Sequence, residues 1–309
     1  MKKSALTINL EYYAVRLVCG LINSLPYAAA LAFARGLGWL MFNVFRFKRS
    51  RTLARIRGVF PEKTEKEVRA IALESLQGLL QIGIEMLRAP TFDVAWMDRY
   101  VKDGRHYKDL LQSLVDEGHG VVIMVPHCGN YFMPGWSMAK YGLPLVAIGS
   151  RQRNPKLNDW LYHNQYGDLE VLDRDRKDTL VRIHEKIKEG RAFAILPDLR
   201  VRKRDVEVDF LRGKANVSRA GAMFAVHCGC PIAVAMMRRE NGRHVFDYLA
   251  TLRPNPDAKD RKAEAARLTR EALSLMNEDI LKHPGEWFWY NKRWILQPAK
   301  KPERRPRGR

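Results

Sequence analysis

Acidic residues are in short supply in this sequence. There are 34 Asp and Glu against 54 Lys and Arg, which leaves a formal net charge of +20 over 309 residues. Such an excess predicts attraction to something acidic: nucleic acid, anionic lipid or an acidic protein. Cysteine is scarce as well. Cys19, Cys128, Cys228 and Cys230 make no disulfide framework for a chain of this size, which points to a reducing compartment. His227-Cys228-Gly229-Cys230 has none of the common zinc spacings and reads as an apolar helix running into a strand. A Gly-rich phosphate loop, a helix-turn-helix signature, zinc-finger spacing and internal repeats are all missing. Residues 17–34 carry no charge, but Asn23-Ser24-Leu25-Pro26 breaks the run. A spanning helix needs roughly 20 unbroken apolar residues, so two helices flanking Pro26 are expected instead. No small-residue cleavage site follows a short apolar core, which disfavours a removed signal peptide.

What is present begins with a hydrophobic share of 46%, enough for a real core. The apolar first 45 residues are followed at once by a basic block that holds Arg46, Lys48, Arg49, Arg51, Arg55 and Arg57. An oily element beside a basic one suits an anionic membrane surface on its cytoplasmic side. The other reading is a helical pair packed on the protein's own core. Thr64 to Glu67 has capping-box spacing and opens a helix to about 88. Helices are then expected at 105–117, 130–140, 156–165, 175–188, 218–228 and 258–281. Strands are expected at 121–125, 144–149, 169–172, 192–196, 206–210, 231–237 and 244–252. This alternation predicts an α/β fold with a mostly parallel central sheet flanked by helices, and N-terminal apolar helices for membrane association. The expected divisions are a membrane-facing segment at 1–60, an α/β domain at 61–298, and a mobile basic tail at 299–309.

Ligands of open parallel sheets sit at the carboxyl ends of strands. Two polar residues fall there: His127 after 121–125, and Asp198 after 192–196. Together they suggest a pair at one sheet edge. Taken singly, each also has a structural reading: a histidine bound to a backbone carbonyl, and a turn aspartate after Pro197. Gly129-Asn130 gives close approach and free backbone N–H groups for an oxyanion or phosphate. Arg151 and Arg153 leave a strand end and either clamp phosphate or form a solvated turn. Arg200, Arg202, Lys203, Arg204, Arg212 and Lys214 supply an electropositive rim. Trp287, Trp289 and Trp294 lie beside Arg293, a mixture found in nucleic-acid sites and at lipid interfaces alike.

Six segments, in order, carry a resemblance: "RTLARIRGVFPEKTEKEVRAIA", "PHCGNY", "SRQRNPKLNDWL", "GRAFAILPDLR", "DVEVDFLRGKANVSRAGAMFAVHCGCPIAVAMMRRE" and "HPGEWFWYNKRW". They resemble the late acyltransferases of lipid A biosynthesis, Gram-negative inner-membrane enzymes that transfer a fatty acyl chain from acyl carrier protein. The resemblance spans nearly the whole chain. It implies an acyl carrier protein thioester as donor, a phosphorylated glycolipid as acceptor, a place on the cytoplasmic face of the bacterial inner membrane, and no cofactor or metal. His127 stands where that family has its general base. The family's acid, after four intervening residues, is replaced here by Phe132, and arginines usual after the paired-Arg motif are absent from "LYHNQYGDLE". Asp198 matches the family's "PD" and is expected to supply the orienting carboxylate. Asn130, Arg151, Arg153 and Arg200 are the expected substrate-binding residues, and Phe132, Met133 and Trp136 the expected acyl slot. Two other readings are a member that binds lipid or carrier protein without turnover, and an enzyme with a different lipid acceptor. A nucleic-acid binder leaves the oily start and the His127 and Asp198 placement unexplained, so nucleic acid is not an expected partner.

Overall fold

Pro26 divides the apolar N-terminus into two helices, α1 (Ala5–Ser24) and α2 (Tyr27–Asn43), in a computed structural model that describes residues 4–161 and 169–297. The Ser4 hydroxyl caps α1 by accepting the Thr7 N–H. Along α1 only Cys19 and Ile22 are buried. Leu6, Leu10, Tyr13, Leu17 and Leu21 are exposed, as are Phe33 and Trp39 of α2. The basic block becomes α3 (Arg49–Val59). Thr64 forms the expected capping box with Glu67 and opens α4 (Glu65–Arg88). By length and composition, Ala5–Ser24 and Glu65–Thr91 can cross a membrane. α4, however, gives the core Val68, Ile71, Ala72 and Leu76.

The chain then continues through α5 (Val94–Tyr100), β1 (Val101–Lys102), α6 (Gly104–Asp116), β2 (Val121–Met124), α7 (Met133–Lys140), β3 (Leu145–Gly149), α8 (Pro155–Trp160) and β4 (Glu170–Asp173). After these come α9 (Thr179–Lys188), β5 (Ala192–Ile195), β6 (Val206–Phe210), β7 (Gly213–Val217), α10 (Ala220–Cys228), β8 (Ile232–Glu240), β9 (Arg243–Leu252) and α11 (Arg261–Lys282). Seven strands form one sheet in the order β1-β9-β8-β2-β5-β3-β4. Every neighbouring pair is parallel except β8 with β9. The mixed α/β, mostly parallel layout expected from the alternation is therefore what the chain adopts.

β2 is buried along its whole length, as its near-continuous apolar sequence demands of a central strand. Alternation sends Val122 and Met124 to one core, shared with α3, α4, α9, α10 and α11. Val121 and Ile123 go to the other core, with α5, α6 and α7.

Several expectations need correction. The helix at 130–140 begins only at Met133, and the one at 175–188 only at Thr179. The helix expected at 156–165 is seen as α8; its distal part, most of "LYHNQYGDLE", and the basic tail lie outside the described residues. Val206–Phe210, whose alternating pattern reads as an exposed strand, has one face fully covered, and it pairs with β7 in a hairpin packed near α11. That hairpin turns through Leu211 and Arg212 at φ of 48° and 57°, in the left-handed region where Asn-Gly is usual. The Asn277 side chain holds the turn by accepting the Leu211 N–H at 2.7 Å. Trp287 and Trp289 are interior, 2% and 0% exposed, so they form no interface. Arg55 of the basic block points inward, donating to the carbonyls of Trp289 (2.9 Å) and Asn291 (2.7 Å).

Candidate active site

Met124 of β2 and Ile195 of β5 are in register on adjacent parallel strands. His127 and Asp198 each follow three residues later, so both emerge side by side at the carboxyl edge of the sheet. His127 Nδ1 lies 2.7 Å from Asp198 Oδ1, and the His127 backbone N–H donates to Asp198 Oδ2 at 2.9 Å. Trp287 Nε1 donates to that same Oδ2 at 2.9 Å. The Asp198 side chain has no exposure. Burial works against its charge, but the His127 ring and the hydrogen bonds from imidazole, indole and amide outweigh it, and the pKa is lowered. An ionised Asp198 accepts from Nδ1–H, which leaves the Nε2 lone pair free as a base.

The loop that carries His127 is clamped from the C-terminal segment. Gly129 N–H donates to Glu286 O and Phe288 N–H to His127 O, each at 3.0 Å, so 127–129 and 286–288 pair like short antiparallel strands. Gly129 has φ +52°, and a Cβ there would collide with Met237 O, so no other residue fits. Alternation turns Trp287 toward Asp198, while Glu286 and Phe288 flank a cavity of about 600 Å³ that His127 also lines. Another wall comes from α4 through Glu74, Gln77, Gly78 and Gln81, and Arg35, Arg239 and Asn241 also border it.

A second, apolar cavity of about 80 Å³ is lined by Val125, Phe132, Leu145, Ile148, Leu169 and Leu196, among others. Tyr131 borders both spaces, its ring edge-on to His127 at 4.8 Å. Burial, then the Asp198 charge, push its pKa up to about 12, so it stays a donor. Burial and nearby carboxylates likewise hold the Cys128 thiol well above its usual range, so it is no nucleophile.

Beneath the loop lies a buried charged cluster that no sequence motif announces. Glu85 has no exposed side-chain surface, and both its oxygens accept from Arg239 Nη2 at 2.7 Å. Tyr27 OH donates to it at 2.5 Å, and His244 Nε2 stands 3.1 Å away. Burial opposes the Glu85 charge, yet His244 and Arg239 pull its pKa well below the carboxylate range. Asn130 Nδ2 donates to Glu85 at 2.7 Å while its Oδ1 accepts Phe132 N–H at 3.0 Å. Both ends of Asn130 thus serve the loop. The cluster is invisible to a motif reading because its members come from α2, α4, β8 and β9.

The other expected residues are spread more widely. The N–H groups of Cys128, Gly129 and Phe132 are taken by Pro126 O, Glu286 O and Asn130 Oδ1, so of the Gly129-Asn130 pair the Gly129 amide is not free for a ligand. Arg151 is exposed and paired with Asp173 at 3.1 Å. Arg153 lies exposed on the same turn after β3. Neither lines the cavity beside His127. Arg200 is buried and donates to Gln297 O at 2.7 Å. Phe132 lines the apolar cavity and stacks on Trp136 at 5.6 Å, whereas Met133 and Trp136 are packed behind it.

Comparison with known proteins bears on this arrangement. Residues 1–295 match the family model described as bacterial lipid A biosynthesis acyltransferase. The chain is similar to the phosphatidylinositol mannoside acyltransferase of Mycobacterium tuberculosis, 21% identical over 249 residues, covering 79% of this chain and 76% of that one. It is similar also to the protein of that name from Mycolicibacterium smegmatis, 23% identical over 289 residues, covering 89% and 88%. The match takes in the apolar hairpin, the His127 loop, the Asp198 strand end and the Trp287 clamp alike, so the chain belongs to the bacterial lipid A biosynthesis acyltransferase family and is an acyltransferase.

Proposed function

We propose that this acyltransferase moves a fatty acyl chain from an acyl carrier protein thioester to a hydroxyl of a membrane glycolipid, a lipid A precursor or a relative of it, with His127 as general base and Asp198 as its orienting acid. The observation that carries this is the 2.7 Å contact between His127 Nδ1 and the buried Asp198 carboxylate. Nε2 takes the proton from the acceptor hydroxyl as its oxygen attacks the thioester carbonyl. The C–O bond forms, the C–S bond breaks, and the proton passes from Nε2 to the departing thiolate. Asp198 steadies the imidazolium in between. Tyr131, a protonated donor at the junction of the two cavities, is the group placed to meet the thioester oxygen. The acyl chain would extend along the apolar side, past Phe132.

The acidic carrier suits the loop after Asp198, where Arg202, Lys203 and Arg204 are clustered. Residues 1–60 hold the enzyme on the cytoplasmic face of the inner membrane, and 61–298 do the chemistry. Supporting this, the exposed apolar face of α1 adjoins the turn bearing Arg151 and Arg153: Asn154 donates to Ile8 O at 2.9 Å and Glu11 at 3.0 Å. That turn then faces lipid phosphates. The names of the mycobacterial relatives, which specify a mannose-bearing phospholipid, favour a sugar-bearing acceptor. The test is lipid mass spectrometry of cells with and without the protein. A glycolipid that lacks one acyl group in its absence is the expected result; an unchanged lipid profile contradicts it.

A further inference from the structure

We infer that α1 lies in the plane of an anionic bilayer and does not cross it. One apolar stripe enters lipid, the opposite side stays bound to the catalytic domain, and Ala5 remains on the same side of the membrane as His127. This rests on the reading of the chain as a membrane-held enzyme and adds the topology of its anchor.

By length α1 could span. Its 20 residues extend about 30 Å, which matches the hydrocarbon core. Its charges argue otherwise. At a rise of about 1.5 Å per residue, Glu11 lies about 9 Å from the start of the helix and Arg16 about 17 Å. A spanning α1 would carry both through the hydrocarbon, Arg16 close to its midplane, where a charge is costly and is found facing a protein partner or water.

The two sides of the helix differ. Leu6, Leu10, Tyr13, Leu17 and Leu21 follow the i, i+4, i+7, i+11, i+15 spacing of one stripe and are 60–79% exposed. Ile8, Glu11, Cys19 and Ile22 fall on the opposite side, and that side is pinned near both ends. Near the start, Asn154 Nδ2 donates to Ile8 O at 2.9 Å and to Glu11 at 3.0 Å. On the flank, the Arg16 guanidinium lies over the Trp160 ring at 5.5 Å. Near the end, Cys19 Sγ donates to Leu87 O at 3.2 Å, and Arg88 Nη1 donates to Ile22 O at 2.6 Å and to Leu25 O at 2.8 Å. The pins at Ile8 and Ile22 are about 21 Å apart along the axis, so α1 lies flat against α8 and α4. Crossing would break these contacts and strip Asn154 and Arg88, both buried, of the partners they have here.

What covers the stripe is read from the charges beside it. The apolar end of α2, with Phe45 69% exposed, runs into Arg46, Lys48, Arg49 and Arg51. The charges that bear on Lys48 are Arg51, Arg55 and Lys292, and those on Arg49 are Arg69 and Arg46, cations throughout. Arg151 and Arg153 stand near the start of α1, on the turn that carries Asn154. An apolar helix face bordered by cations is what the interface of an anionic bilayer binds. A second copy of so basic a chain would meet like charge there instead.

Two measurements on the full chain test this, and its four native cysteines are all buried. Ala5→Cys, at an exposed position, is treated with a membrane-impermeant maleimide in sealed spheroplasts and after lysis. Labelling only after lysis is expected; equal labelling of sealed and lysed cells overturns the inference. Leu10→Cys and Leu17→Cys, each carrying bimane, are then quenched in vesicles containing phosphatidylglycerol, by lipids with a nitroxide at a shallow or a deep position. Equal, mainly shallow quenching at both sites is expected. Deep quenching at Leu17 with shallow quenching at Leu10 is the spanning result and overturns the inference. Absence of quenching at both sites overturns it too, and a dimer by light scattering then assigns the stripe to a second copy. Neither measurement reads turnover. The expected result in a chain that transfers no acyl group sinks the proposed reaction and leaves the topology standing, whereas Ala5→Cys labelled from outside in an active chain does the reverse.

Discussion

Trp287 donates its indole N–H to the same Asp198 oxygen that receives the His127 backbone amide, while the other oxygen meets the imidazole. The carboxylate is therefore fixed in its plane by groups from two distant stretches of chain. Three donors hold it ionised and facing Nδ1, so the imidazole has one tautomer available. Orientation of this kind is the part of a catalytic carboxylate's work that an amide cannot replace.

Asp198→Asn should keep the fold and lose the chemistry. The Asn amide would donate to Nδ1 and drive the proton to Nε2, which removes the base. By analogy with serine protease triads, a fall in kcat of about 10³–10⁴-fold is expected, with little change in KM. Steady-state kinetics with a thioester donor and glycolipid acceptor would show it.

Glu85→Ala tests the buried cluster under the loop. It strands Arg239, which is 10% exposed, and frees Asn130 from its anchor. Removing one partner of a buried pair costs about 3–5 kcal/mol. Urea unfolding should register that loss, and activity should fall with it, since Asn130 no longer holds the Phe132 amide and the His127 loop slackens.

Glu286→Gln should alter stability with a sign that depends on pH. The folded pKa of about 7 lies above that of an unfolded glutamate, so the folded chain holds a proton that the unfolded chain releases. Stability is then lost as pH rises from the unfolded value, about 4.3, through about 7. The Gln variant escapes that loss. Its melting temperature should exceed the native one at pH 8, and the gap should narrow steadily toward pH 4.

Leu10→Asp with Leu17→Asp tests the membrane face of α1. Both side chains are exposed, at 70% and 66%, so folding should be unaffected. Sedimentation with vesicles containing anionic lipid should show at least about tenfold weaker binding, because two charges then enter the apolar face. Equal binding would mean that α1 is not the contact surface.

Much of this arrangement is legible in the amino-acid sequence, for identifiable reasons. His127 and Asp198 can be paired from sequence alone because each follows its apolar run at the same distance, and β2 and β5 do end in register. The Thr64 capping box is a local signal, and it forms as its spacing indicates. The Trp287 clamp is not legible as such, because 89 residues separate the indole from Asp198 and aromatic-basic composition suits a surface equally well. Arg55 illustrates the same limit: a basic block predicts solvent, yet one of its members reaches 234 residues along the chain to backbone carbonyls inside. The β6–β7 turn hides behind Leu211 and Arg212, which take positive φ without the Asn or Gly that would announce it, in a turn where Asn277 holds the Leu211 amide. The pairing Asn130–Glu85 depends on where α4 crosses the loop, which no periodicity reveals.

The most direct test of the account is the rate of acyl transfer in His127→Gln, measured in a single turnover with a pre-bound thioester and a sugar-bearing lipid. Gln keeps a side chain that can hydrogen-bond Asp198 but has no basic nitrogen. If Nε2 is the base, the acylated product should form at least about 10³-fold more slowly than in the native chain, with acceptor binding preserved. Product formed at the native rate would show that the proton leaves by another route and that the His127–Asp198 pair is only a structural brace.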